Sequence, residues 1–145
     1  MYDREFITPL ASALICSQDG FYCTALESIL KDRLHVQRVA SVETFDKAVD
    51  HIAGTHGGVD LALLDLRTPG LGNRNAIQAL RAGFPSTRMV VIAVSRSRQA
   101  VLTSLEAGVH GFLNRDIAVA GLVEALDQVS RGQIYVPPFL AYPDK

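Results

Sequence analysis

Asp65 closes an apolar run, Leu61 to Leu64, and the turn residues Pro69 and Gly70 follow shortly after it. A carboxylate at the mouth of a buried strand is costly unless it is paired or hydrogen-bonded, so its partners decide its chemistry. The candidate partners are the polar residues that close other apolar runs. These are Ser17, Gln18 and Asp19 after Ala13 to Cys16, Ser95 after Met89 to Val94, and Asn114 and Arg115 after Gly111 to Leu113. Arg115 is the best matched, because a planar guanidinium engages a carboxylate bidentately. A standing Asp65–Arg115 ion pair is therefore expected. Arg67, Arg96 and Arg98 are expected around the same rim, which would make the pocket electropositive.

Other chemistries find less support. Ser17 lacks the His–Asp relay that activates a serine nucleophile. His35, His51, His56 and His110 fall on separate elements or loops and form no ligand set. Cys16 and Cys23 fit neither a zinc spacing nor a disulfide framework, and Cys16 reads as a core thiol. The THGG stretch from Thr55 to Gly58 lacks the lysine and the following helix of a phosphate loop. Asp19 reads first as a helix N-cap. Ser95, Arg96, Ser97 and Arg98 make a basic-polar helix start, read as a solvated face, with an anion site as the sharper alternative.

The elements that must position these residues show in the hydrophobic period. Short apolar strands at Ala13 to Cys16, His35 to Ala40, Val59 to Leu64, Met89 to Val94 and Gly111 to Leu113 alternate with helical patterns. The helices are expected over Phe21 to Leu34, around Phe45 to Ile52 with Ser41 as cap, over Asn73 to Phe84 and over Ser97 to Ala107. A last one follows Asp116, its expected cap, and ends at Gly132. Parallel neighbours need helical crossovers, so the fold class is α/β, a doubly wound five-stranded parallel sheet. Its functional crevice lies beyond the carboxyl ends of the strands, where Asp65 and its candidate partners fall. The tail IYVPPFLAYPDK looks like a docked or linking extension.

Bulk properties narrow the classes. The 145 residues make one domain, and 48% hydrophobic content argues for a packed core. Fourteen basic against fifteen acidic residues give a net charge of −1, which leaves no electrostatic footprint for nucleic acid. The opening MYDREFITPLAS has no signal-peptide pattern, and no apolar run reaches the roughly 18 residues of a membrane span. A cytoplasmic protein without membrane contact is expected.

Three segments carry a resemblance: VDLALLDLRTPG around Asp65, SLEAGVHGFLNRD from Ser104 to Asp116, and ALDQVSRGQIYVPP from Ala125 to Pro138. In this order they resemble the receiver domain of bacterial two-component response regulators of the LuxR/NarL type. The resemblance implies the flavodoxin-like (βα)5 fold, a receiver-like regulatory domain over 1–138, and a linker or tail over 139–145 toward a separate DNA-binding domain. It also implies a phosphoacceptor aspartate at Asp65. The acidic pair that holds Mg²⁺ in the family falls on Ser17 and Gln18, so both carboxylates are missing. The strand-four hydroxyl falls on Ala93, the aromatic switch on Phe112, and the lysine on Arg115.

Mg²⁺ favours octahedral oxygen ligation anchored by carboxylates, so no cofactor is expected at so depleted a site. The chain is expected to be a non-enzymatic signal-input and dimerisation module, an atypical receiver outside the Mg²⁺-dependent phosphorelay. Two alternatives stand beside it: a phosphoacceptor using Asp65 with Asp19 as ligand, or a module binding an anionic small molecule. The resemblance implies a sensor histidine kinase as a partner, and DNA contact only through the separate domain. The face where the family dimerises carries Arg98, Leu102, Glu106, Arg115, Asp127 and Gln128. Mixed charges there suit isologous pairing, so a homodimer is expected.

Overall fold

The computed structural model describes residues 10–141. The signal-peptide reading of the first residues and the last four tail residues lie outside them. Five strands and five helices alternate: β1 (Ser12–Cys16), α1 (Gly20–Leu34), β2 (Arg38–Val42), α2 (Phe45–Gly54), β3 (Leu61–Asp65), α3 (Arg74–Gly83), β4 (Arg88–Ala93), α4 (Arg98–Glu106), β5 (Gly111–Asn114) and α5 (Val119–Ser130). The strands form one sheet in the order β2-β1-β3-β4-β5, and each neighbouring pair is parallel. β3 is central, with Ile15 beside Leu63 and Leu63 beside Val90.

Alternation along the central strands builds two cores, one on each face of the sheet. Leu61 and Leu63 point to one side, among Leu26 and Leu30 of α1 and Leu122, Leu126 and Val129 of α5. Ala62 and Leu64 point to the other, among Ile52 of α2, Ile77 and Leu80 of α3, and Val101 of α4. No helix among the described residues is long and apolar enough to cross a membrane.

Local chemistry sets most helix starts. Asp19, Thr44, Asn73 and Ser97 each accept a backbone N–H of the first turn. Two expected starts are corrected. Ser41 lies within β2, and Thr44 caps α2 instead. Asp116 does not cap α5: Ala118 holds that position without a side-chain bond, while Asp116 pairs with Arg96 at 3.0 Å. The second strand also begins later than His35. That residue ends α1 in the left-handed conformation, at φ 59°, and cannot open an extended segment.

After α5 the chain turns back along β5. Tyr135 bridges Gly111 in parallel sense, and Pro138–Ala141 forms one 3₁₀ turn. The side chains of Phe139 and Leu140 pack on the core beside α4.

Candidate functional site

Asp65 ends β3 with only 4% of its surface exposed, and every partner comes from another strand end or its own turn. Its Oδ2 accepts from the Ser17 hydroxyl at 2.8 Å and from Arg115 Nη1 at 3.1 Å. Its Oδ1 accepts the Arg67 backbone N–H at 3.0 Å, with Arg67 Nε 3.7 Å away. The carboxylate is satisfied on both oxygens.

Arg115 holds more than Asp65. Its Nη2 pairs with Asp19 Oδ2, and its guanidinium lies over the Tyr22 ring, 3.9 Å from the centroid. Asp19 thus serves twice, since its Oδ1 also accepts the Tyr22 N–H at 3.1 Å and caps α1. Its own N–H reaches the Ser17 hydroxyl at 3.2 Å, which closes a ring of contacts through Ser17, Asp65, Arg115 and Asp19. Burial pushes the Tyr22 hydroxyl above the usual phenol range, against the opposing pull of Arg115.

The expected ion pair between Asp65 and Arg115 is present, but the electropositive rim is not. A cleft of about 310 Å³ above Asp65 is lined by Gln18, Asp19, Asp65 and Arg67. Two carboxylates therefore face Arg67 and Arg115. Arg96 turns away to Asp116, and Arg98 donates to the Leu140 carbonyl at 2.8 Å. Both were misplaced because the loop after β4 faces the end of β5 and the start of α4 faces the tail.

The remaining candidates sit close by in different roles. Ala93 is buried in the core, and its carbonyl accepts the Arg115 N–H at 2.9 Å. Phe112 is fully buried in the same core. Asn114 is tied to the Ser95 carbonyl at 2.8 Å. Gln18 is exposed at the cleft mouth. Among the described residues no three His, Cys, Asp or Glu side chains cluster as metal ligands. Tyr22 is the residue that sequence reasoning missed. Its position three residues after the Asp19 cap puts its ring on the site side of α1, under the Arg115 guanidinium.

A five-stranded parallel sheet in this order, with a carboxylate at the crevice end of its central strand, defines a receiver-like α/β domain. Residues 13–127 match the response regulator receiver domain family, and the chain belongs to it. It is 26% identical over 125 residues to the glycerol metabolism activator of Pseudomonas putida, covering 86% of this chain and 56% of that protein. It is 37% identical over 75 residues to the nitrate/nitrite response regulator NarL of Escherichia coli strain K12, covering 52% of this chain and 35% of that protein. The chain thus spans about half the length, or less, of these relatives.

Among solved structures, a LuxR-family response regulator from Aurantimonas superposes with a TM-score of 0.80 at 21% identity, covering 90% of this chain and 92% of that one. The isolated receiver domain of RcsB from Salmonella enterica serovar Typhimurium gives 0.80 at 17% identity, covering 90% and 96%. These two likenesses support the fold read from the hydrophobic period.

Proposed function

We propose that this chain is the signal-input domain of a LuxR/NarL-type transcription regulator, and that its state does not depend on Mg²⁺-assisted phosphorylation. Receiver domains are regulatory modules that typically interact with kinases and dimerise. The finer reading rests on one observation: the Arg115 guanidinium is engaged with both Asp65 and Asp19.

Phosphoryl transfer to a carboxylate needs its crowded negative charge neutralised, and a divalent cation held by oxygen ligands supplies that in most such sites. The donor set here does not fit Mg²⁺. Ser17 and Gln18 are neutral, and the two carboxylates at the cleft are already paired. A dication about 5 Å from a guanidinium meets a Coulomb repulsion of about 7 kcal/mol at an effective dielectric near 20. Ala93 adds no hydroxyl to hold a phosphoryl oxygen. The arrangement suits a permanent internal counter-ion better than a metal-gated switch. The same balance of charge weakens the reading as an anion-binding pocket.

The test is intact mass after incubation with acetyl phosphate and Mg²⁺, beside an active receiver and an Asp65→Asn control. No adduct is expected. A phosphoryl adduct that disappears in the control would overturn the proposal and restore Asp65 as an ordinary phosphoacceptor.

A further inference from the structure

Among the described residues, the buried polar side chains find hydrogen-bond partners with one exception. The hydroxyls of Ser12, Ser17, Thr68, Thr87 and Ser130, the Asp65 carboxylate and the Asn114 amide are all bonded. Ser104 of α4 is only 7% exposed, and among the described residues its hydroxyl has no partner. A hydroxyl taken from water without a partner is costly. No fully sealed side-chain oxygen or nitrogen among the described residues lacks a bond, so the Ser104 hydroxyl must open on a space. That space is a cleft of about 270 Å³ between α3 and α4, which Ser104 lines.

The cleft exists because of what α4 turns toward α3. Ala100, Thr103, Ser104 and Ala107 fall at i, i+3, i+4 and i+7, on one helix face. Side chains this small cannot fill the gap to Leu71 and Ile77 on the opposite wall. Water in so apolar a space finds few partners and is readily displaced. Polar groups gather at the exposed rim, where Asn73 and Arg74 open α3 and Ser97 caps α4. Neither helix carries an acidic residue in its first turn, so both positive helix ends stand uncompensated. Arg74 joins α3 to α4 only through Glu106 at 3.6 Å, with the two side chains 50% and 63% exposed. A pair so long and so wet holds the helices weakly, and an incoming carboxylate can take Glu106's place.

We propose that the α3–α4 cleft is a binding site for a small carboxylic acid with a compact apolar body and one polar group at its far end. The body lies between Ile77 and Ala100, the far group bonds the Ser104 hydroxyl at the buried wall, and the carboxylate meets Arg74 at the rim. The volume admits a ligand of about one ring, below the usual range for larger cofactors. Filling the cleft fixes the spacing of α3 and α4, an input separate from Asp65. A phosphoryl adduct on Asp65 would leave this site standing.

The test titrates the isotope-labelled full chain with 4-hydroxybenzoate, benzoate and neutral 4-hydroxybenzyl alcohol, following amide shifts by NMR. Saturable shifts at Ile77 and Ser104 are expected with 4-hydroxybenzoate, at a Kd of about 1 mM for so small a ligand. Ser104→Ala should weaken 4-hydroxybenzoate by roughly two- to tenfold and leave benzoate, which has no far group, unchanged. Arg74→Gln should weaken both acids by roughly two- to fivefold and leave the neutral alcohol unchanged. Ala100→Leu fills the cleft and should abolish the shifts, with circular dichroism checking its helices; Ser104→Ala puts the best helix former in place and serves should that variant fail to fold. Shifts that do not saturate would overturn the proposal. So would a Ser104→Ala chain that binds 4-hydroxybenzoate unchanged, or one that loses both acids equally, because Ser104 would then act in packing alone.

Discussion

Arg115 stands between Asp65 and Asp19, donating Nη1 to Asp65 Oδ2 at 3.1 Å and Nη2 to Asp19 Oδ2. One cation thus ties the end of β5 to the end of β3 and to the start of α1. Its side chain is 19% exposed and that of Asp65 is 5% exposed, so water screens this pair far less than a surface one.

Removing Arg115 leaves a buried carboxylate without its counter-charge, a loss that typically costs about 3 kcal/mol or more. Arg115→Ala is expected at the low end of that range, because Ser17 and the Arg67 N–H still bond Asp65. Asp65→Asn in the same chain should recover part of the loss, giving a coupling of about 1–3 kcal/mol in a double-mutant cycle read by urea unfolding. Strict additivity would mean that the pair contributes nothing.

His110 predicts a loss of stability on mild acidification. Its Nδ1 accepts the Met89 N–H at 3.0 Å, a bond that the protonated ring cannot accept. Burial first, then Arg81 and Arg88, holds its pKa below the ordinary 6.5. Above that value the ring is neutral in both states and its contribution is complete. As the pH falls below 6.5, the unfolded chain binds a proton that the folded chain resists, so stability drops until the folded pKa is passed. Unfolding midpoints at about pH 7.5 and about pH 5.5 should differ more for the native sequence than for His110→Gln, which does not titrate. Equal slopes would remove His110 from the account.

The two thiols should be silent in the folded protein. Cys16 is fully buried, and desolvation pushes its thiol up to about 12; burial raises Cys23 as well. The thiolate is the species that alkylates, and neither residue supplies it near neutral pH. Iodoacetamide is expected to leave the native chain unmodified and to add two labels in denaturant. Labelling of Cys23 alone under native conditions would show that the start of α1 opens.

How much of this was legible in the sequence depended on how local the signal was. The strand period at Leu61 to Leu64 and the cap at Asp19 are set by near neighbours, and they read correctly. The Asp65–Arg115 pair was also accessible, because two strand ends of one parallel sheet share a crevice. Asp116 failed as a cap because its carboxylate is drawn to Arg96, twenty positions away in sequence. Arg98 was read as rim charge because its partner is a backbone carbonyl of the tail, which side-chain chemistry does not announce. The start of β2 slipped because His35 takes a left-handed cap usually given to glycine.

Gly70 is the position where one methyl group should do the most damage near the site. It lies five residues after Asp65 at φ 91°, a conformation that already disfavours a side chain. A Cβ there would stand 2.5 Å from the Phe45 Cβ, and the Phe45 N–H bonds the Pro69 carbonyl at 3.0 Å. The clash is with the root of a side chain at the start of α2, so a rotamer change cannot relieve it. Either the turn after β3 or the start of α2 must move. Gly70→Ala is expected to cost about 2–3 kcal/mol, from the strained backbone and the overpacked contact together. The shift should reach the Arg67 N–H that bonds Asp65, seen as faster amide exchange at Arg67. Trimming Phe45 to alanine in the same chain cannot relieve a contact made to its Cβ. Phe45→Gly should, and because that change also removes a side chain packed on the core, the readout is the coupling in a double-mutant cycle: zero coupling would place the whole penalty on the backbone.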